Sequence, residues 1–276
     1  MDPRETRLQL SYDDVGSGEP ALLLLPGWCG DRSVYLDLVR HLAPGFRVLT
    51  LDWRGHGRSP EATGEFGEAE LVEDALAVIE RSGVRHVIVV AQAHAGWVAI
   101  ALRRRLGPRV RGLVLLEWLV IGAPRTFLAA LQNMQSPTQW RDTVEQVFEW
   151  WLAGNDDPRL TNFVRGRMGA HGYLMWARAA RAIQVAYARE GSPLAALSRL
   201  TPPPPVLHLY AQPRTPEFLV TQQGFARSHG WFEVELLDTR THFPMLERPE
   251  AIAQAIERFA RRRRSREEHV ATMRAS

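Results

Sequence analysis

The fold turns on one stretch, VVAQAHAGW, residues Val89–Trp97. An apolar run enters a cluster of small residues, Ala91, Ala93, Ala95 and Gly96, and a helical pattern follows to Leu106. Small side chains are what a sharp strand–turn–helix junction requires, because the chain doubles back too closely for larger ones. Junctions of this kind that carry a nucleophile read G-x-S-x-G, with serine at the apex. Here the apex is Ala93. The chain has therefore either lost a nucleophile or runs a chemistry that does not use one.

Working outward, ALLLLPGW (Ala21–Trp28), RVLTLDWRG (Arg47–Gly55), HVIVVAQ (His86–Gln92) and RGLVLLEW (Arg111–Trp118) are near-continuous apolar runs. Continuous apolar strands imply burial on both faces, hence a parallel sheet covered by helices. Helical patterns at 68–81 and 96–106 lie between them, so the class is α/β with a mostly parallel, doubly wound sheet. TRLQLSYDDVGSGEP, Thr6–Pro20, reads as a hairpin closed by a Gly/Pro turn. From Pro124 to Leu200 no comparable strand occurs, and Trp140, Trp150, Trp151, Trp176 and Tyr187 punctuate helical periods. These aromatics read either as the core of a helical unit or as the lining of a pocket for an aromatic ligand. TPPPP, Thr201–Pro205, ends the helical stretch. PVLHLYAQ and WFEVELLD restore the strand rhythm, and 249–264 reads as a final amphipathic helix. The expected organisation is a core of residues 1–123 and 201–276 with a helical cap, 124–200, inserted.

A chain of 276 residues with 45% hydrophobic content suits one large domain or a domain with an insertion. The net charge is +3, and the excess sits in Arg261–Arg264 and Arg266, read as a solvated helix end facing the negative end of the helix dipole. No basic stripe with interleaved aromatics appears elsewhere, so a nucleic-acid partner is not expected. Cys29 is the sole cysteine, which excludes an intramolecular disulfide and a CxxC zinc site. MDPRETRLQL has no apolar core of signal-peptide length, and the apolar runs are too short to span a membrane. The expectation is a soluble cytoplasmic protein without a membrane partner.

This order of elements resembles the α/β-hydrolase superfamily over essentially the whole chain. In that frame PGWCG leaves the backbone N–H of Trp28 at the top of the sheet, and the elbow offers the N–H of His94 to the same point, as an oxyanion hole. His242, in THFPMLERPE between the last strand and last helix, stands where the catalytic base belongs. The acid is displaced. Pro213-Arg214-Thr215 follow PVLHLYAQ, and Glu217 reads as a helix start. One strand earlier, Glu117 ends an apolar strand, where a carboxylate is costly unless paired, and His242 is the natural partner. His56 and Arg54 in DWRGHGRS read as structural.

More narrowly, GSGEPALLLLPGWCGDRSVY, DWRGHGRSP, AHAGWV, GYLMWARAAR and THFP resemble the cofactor-independent 3-hydroxy-4(1H)-quinolone 2,4-dioxygenases. The resemblance implies a chemistry with no metal or organic cofactor and with dioxygen as co-substrate. A histidine base takes the 3-hydroxyl proton, the substrate anion reacts with dioxygen, and ring opening releases carbon monoxide and an N-acylanthranilate. Three departures stand out: Ala93 replaces the family's serine, Glu117 its aspartate, and Gly30 and Gln92 stand where the family's 3-hydroxy-4-oxoquinaldine dioxygenases carry histidines. Gly30 and Ala93 are expected to leave room for a substrate bulkier at C2 than a methyl group, a 2-alkyl-3-hydroxy-4(1H)-quinolone. Phe127, Leu128, Leu131, Met134, Phe148, Trp151, Met175 and Trp176 would sheath its tail, with Trp176 in the site itself. Two rivals remain at this stage. One is a serine-less hydrolase or lyase with Cys29 as substitute nucleophile, against a loss of about 10⁶ when such a residue is removed. The other is a ligand receptor without catalysis.

Overall fold

The structure is a computed structural model describing residues 9–62 and 64–275. Seven strands form one sheet: β1 (Tyr12–Val15), β2 (Ala21–Leu25), β3 (Val48–Leu51), β4 (Val87–Gln92), β5 (Val110–Leu116), β6 (Val206–Tyr210) and β7 (Phe232–Leu236). Their order is β1-β3-β2-β4-β5-β6-β7; only β1 runs antiparallel. Every residue of β2, β3, β4 and β6 is buried, as the continuous apolar runs require. The winding reverses between β2 and β4, because the chain steps from β2 out to β3 and then back across to β4. Ligands bind at the carboxyl ends of strands at such a reversal. The turns at PGW and QAHA, sequence-adjacent to β2 and β4, stand there.

The helices are α1 (Leu36–Leu42), α2 (Glu68–Ser82), α3 (Ala95–Leu106), α4 (Arg125–Met134), α5 (Trp140–Leu152), α6 (Pro158–Thr161), α7 (Tyr173–Glu190), α8 (Pro193–Ser198), α9 (Pro216–Ser228), α10 (Pro244–Glu247) and α11 (Pro249–Ala275). α4 to α8 fill the interval between β5 and β6, with a π-helical turn at Asn162–Arg167. The end of α7 is fastened to the sheet side through Glu190. Its carboxylate meets Arg104 of α3 at 2.8 Å, together with Arg189 and Arg199, and these cations hold its pKa down to about 2. Among the described residues no helix is long and apolar enough to cross a membrane.

Two expectations are corrected. β1 does not form a hairpin with β2; it pairs antiparallel with β3, Tyr12 opposite Leu51. β2 is already flanked on both sides by parallel neighbours, so its edges are taken, and the edge of β3 is the free one. Residues 6–8 of the expected hairpin lie outside the described residues. The arginine run does not end the last helix, which continues to Ala275. Arginine is a good helix former, and no Gly or Pro follows to stop the helix. Arg261 pairs with Glu257 at 3.6 Å, and Arg262 reaches Glu233 on β7.

The elbow glycine has a steric reason. A Cβ on Gly96 would sit 2.3 Å from Cε3 of Trp118, inside the buried ring that closes β5. Gly96→Ala is therefore expected to lose about 1–3 kcal/mol of stability, the range for overpacking a tight core. Urea unfolding checks this, and an unchanged midpoint would mean that the Trp118 ring yields freely.

Candidate active site

Three residues other than glycine hold left-handed backbone at the carboxyl edge of the sheet: Cys29 (φ 63), Ala93 (φ 48) and Glu117 (φ 52). They follow β2, β4 and β5. Such conformations cost about 1–3 kcal/mol each and persist only where surroundings impose them. The imposing contacts are visible. Ala93 N–H donates to Leu116 O at 2.7 Å and Glu117 N–H to Leu209 O at 3.0 Å. Cys29 N–H donates to Nε2 of His56 at 3.1 Å, while Nδ1 of His56 lies 2.8 Å from Arg54 O. Trp118 N–H faces Nε2 of His208 at 3.5 Å, and Nδ1 of His208 meets Gln222 Oε1. Each ring thus carries its proton on Nδ1 and stays neutral. Burial pushes both histidines down to about 4. His56 and Arg54 are structural, as expected; Arg54 is paired with Asp74 at 2.6 Å.

These turns frame a cavity of about 410 Å³. The residues expected from the sequence to form the catalytic pair, the oxyanion hole and the substrate contacts line it: Trp28, Gly30, Gln92, Ala93, His94, Glu117, Trp176 and His242. At its polar end Nδ1 of His242 lies 3.6 Å from Oε2 of Glu117. Glu117, 1% exposed, also accepts the N–H groups of Ala211 and of Gln212, the latter at 3.2 Å. Burial raises its pKa, opposed by His242 and the two N–H donors. The His242 ring stacks on Trp151 with centroids 5.0 Å apart and planes 8° from parallel. Among the described residues the N–H groups of Trp28 and His94 have no protein acceptor. Nδ1 of His94 and Nε1 of Trp176 are likewise buried without partners. Burial, then the nearby His242, push His94 down to about 3, so it is neutral. Gln92 is 3% exposed, and its Oε1 stands 3.5 Å from the Gly27 N–H.

Most of the rest of the lining is apolar, and two helix faces contribute to it. α4 presents Phe127, Ala130, Leu131 and Met134; α7 presents Trp176, Ala179, Ala180 and Ile183. Both sets follow i, i+3, i+4, i+7, the stripe of one helix face. The alanines were not singled out from the sequence, although that spacing marks them. Phe163 and Met168 also line the cavity and were missed, because a π-helical turn between them breaks the 3.6-residue period. Three members of the expected sheath do not line it: Leu128, Phe148 and Met175 pack elsewhere in the core. Gly30 does not open the space expected. Its Cβ position lies 3.4 Å from Cζ of Phe163, whose ring takes that volume. Cys29 is 1% exposed and absent from the lining, and burial raises its thiol, so it offers no thiolate to the cavity. Glu217 begins α9, as read. Among the described residues no group of three or more His, Cys, Asp or Glu could hold a metal ion.

Residues 20–184 match the model of the α/β hydrolase fold family. The chain is 36% identical over 256 residues to a 2-heptyl-3-hydroxy-4-quinolone dioxygenase of Rhodococcus erythropolis, spanning 91% of this chain and 95% of that one. It is 35% identical over 252 residues to the 1H-3-hydroxy-4-oxoquinoline 2,4-dioxygenase of Pseudomonas putida, covering 91% and 95%. The chain belongs to the 3-hydroxy-4-quinolone 2,4-dioxygenase family. A solved structure of another such dioxygenase, a variant of AqdC in complex with its substrate, superposes with a TM-score of 0.87 at 33% identity, covering 92% of this chain and 96% of that one. That structure was solved for recognition and ring cleavage of the Pseudomonas quinolone signal. In this chain the cavity combines the Glu117–His242 pair with an elbow, Ala93, that carries no hydroxyl.

Three histidines lowered by burial make stability depend on pH. Unfolded, each binds a proton near 6.5; folded, His56 and His208 bind one only at about 4 and His94 at about 3. The unfolded state therefore holds more protons between those values, and stability is lost as pH falls below 6.5, levelling off only near 3. The expected slope is up to about 1.4 kcal/mol per pH unit for each histidine. Urea midpoints across this range check it, and His208→Gln should flatten the curve. An identical curve in that variant would remove His208 from the account.

Proposed function

We propose that this chain cleaves 2-alkyl-3-hydroxy-4(1H)-quinolones with dioxygen and without a metal or organic cofactor. The observation that carries the reading is the buried Glu117–His242 pair at the polar end of an apolar cavity whose elbow offers no nucleophile. Acyl transfer would need a nucleophile, and neither Ala93 nor the buried Cys29 supplies one. Proton abstraction needs only a base and its partner, and both are present.

His242 is the base that takes the 3-hydroxyl proton, and Glu117 holds the imidazole and balances the imidazolium that forms. The unpaired N–H groups of Trp28 and His94 are donors for a ring oxygen on which negative charge develops. His94 stays neutral, so it adds no competing cation. The substrate anion then gives electrons to dioxygen. A peroxide forms at C2 and closes on C4; the O–O, C2–C3 and C3–C4 bonds break, and C3 leaves as carbon monoxide. The two oxygen atoms of dioxygen end in the amide and carboxylate of an N-acylanthranilate. Residues 124–200 act as a cap over this end of the sheet. The alkyl tail lies between α4 and α7, where Ala130, Ala179 and Ala180 leave space that larger side chains would fill. Trp176 contributes the wall and an unpaired N–H.

The test mixes chelator-treated protein with 2-heptyl-3-hydroxy-4(1H)-quinolone, first without oxygen and then with it, and measures carbon monoxide and oxygen uptake. One carbon monoxide per dioxygen is expected, unaffected by chelation. His242→Ala should lower kcat by about 10²–10⁴, the usual worth of a positioned base. Full activity in that variant, or activity that disappears with chelation and returns with metal, would overturn the reading.

A further inference from the structure

Four separate segments meet at the polar end of the cavity: the turn after β5 with Glu117, the loop after β6, the loop carrying His242, and the end of α5. One residue joins them, by its main chain and its side chain. The Gln212 main-chain N–H donates to Glu117 Oε2 at 3.2 Å. Its side-chain Nε2 donates to Trp150 O at 3.0 Å and to Arg240 O at 2.8 Å. Trp150 is in the last turn of α5, and Arg240 lies two residues before His242.

The last carbonyls of a helix have no partner within it and must find one elsewhere. In α5, Glu149 O accepts from Ala153 N–H at 3.0 Å and Leu152 O from Asn155 N–H at 2.8 Å. The two between them are taken by the catalytic loops. Trp150 O accepts from Gln212, and Trp151 O accepts the main-chain N–H of His242 at 2.8 Å. The helix end is thereby docked on the base it faces, with the Trp151 ring stacked on the imidazole. A helix C-terminus favours a neighbouring positive charge, here the imidazolium that forms on proton transfer. The ionisable groups linked to that imidazole are Glu117 from the β5 turn and His94 from the elbow; Glu247 of α10 accepts the main-chain N–H groups of Arg240 and Thr241 in the same loop.

We infer that Gln212 is a positioning residue for the Glu117–His242 pair: its amide fixes the end of α5 and the His242 loop in register with the carboxylate its own main chain holds. The inference rests on the dioxygenase reading above. The pair is 3.6 Å apart, just beyond hydrogen-bond length, so a small drift of either loop decides whether it functions. Gln212 is not asked to touch the reacting atoms.

The test uses the full chain, Gln212→Met, which keeps the length and removes both donors, and Gln212→Ala, with circular dichroism confirming that each is folded. 2-Heptyl-3-hydroxy-4(1H)-quinolone is bound without oxygen, and its absorbance gives both the affinity and the fraction converted to the anion; oxygen is then admitted. In both variants the affinity should stay within about threefold while the anion fraction falls and kcat drops about tenfold or more, the signature of a misplaced base. A merely structural role would lower the folded fraction but leave the anion fraction of folded protein unchanged. Folded variants with the wild-type anion fraction and kcat would overturn the inference, as would a weakened affinity with kcat intact. A wild-type chain that binds the quinolone but neither forms the anion nor consumes oxygen would instead overturn the dioxygenase reading, and this inference with it.

Discussion

A carboxylate buried at the end of an apolar strand is the constraint on which the rest depends. Glu117 is 1% exposed and sits on left-handed backbone. Removed from water, its charge must be met by donors or surrendered. The fold meets it from two directions: Ala211 and Gln212 from the loop after β6, and His242 from the loop after β7. Each of those loops is fixed by something further out. The His242 loop is tied through Thr241 to Glu247, and the β6 loop leans on the end of α5. One buried charge thus sets the position of a base, a helix end and two loops.

The same economy explains an elbow without serine. Ala93 keeps the left-handed turn, its N–H is held by Leu116 O, and Gly96 lets α3 start against Trp118. A turn retained only as a relic of a nucleophile would have little reason to keep such strain, since strained backbone persists where the surroundings over-determine it. In the proposed reaction the turn keeps a use, because its geometry aims the His94 N–H and leaves it without an acceptor among the described residues. That reaction needs the backbone direction and not the hydroxyl.

Much of this was legible in the sequence, and the limits have physical causes. Continuous apolar runs announce strands buried on both faces, and five of the seven strands follow from that pattern, whereas β7, FEVEL, interleaves glutamates and is only partly buried. Glu117 was recognisable because a charge at the end of such a run demands a partner, and one histidine stood at the right place in the topology. Pairing at the sheet edge was not legible: β1 is mostly exposed, so its composition says little about which neighbour it joins. Nor was Phe163. Its π-helical turn departs from the 3.6-residue period, and its ring fills the volume beside Gly30 that looks empty when glycine is read alone. Gln212 shows no signal at all. Its importance lies in carbonyl groups of two distant segments, and backbone acceptors have no sequence signature.

The polar end of the cavity is also balanced for making an anion. Before proton transfer it holds one carboxylate, Glu117, and a neutral His94, while His56 and His208, which support the turns behind it, are also kept neutral by burial. In the proposed step the proton moves from the substrate hydroxyl to His242, creating an imidazolium beside Glu117 and an oxyanion beside two free N–H groups. Each new charge therefore appears against a partner already in place, so little reorganisation accompanies the transfer. A protonated His94 would spoil this arrangement by placing a second cation beside the elbow. That would stabilise the anion so strongly that it would become a poorer electron donor to dioxygen. The neutral, half-buried His94, stacked on Phe127 with planes 13° apart, offers its backbone and withholds its charge. Reactivity toward dioxygen asks for an anion that is formed readily but not held too tightly, and a cavity with one carboxylate, one base and mostly apolar walls suits both demands.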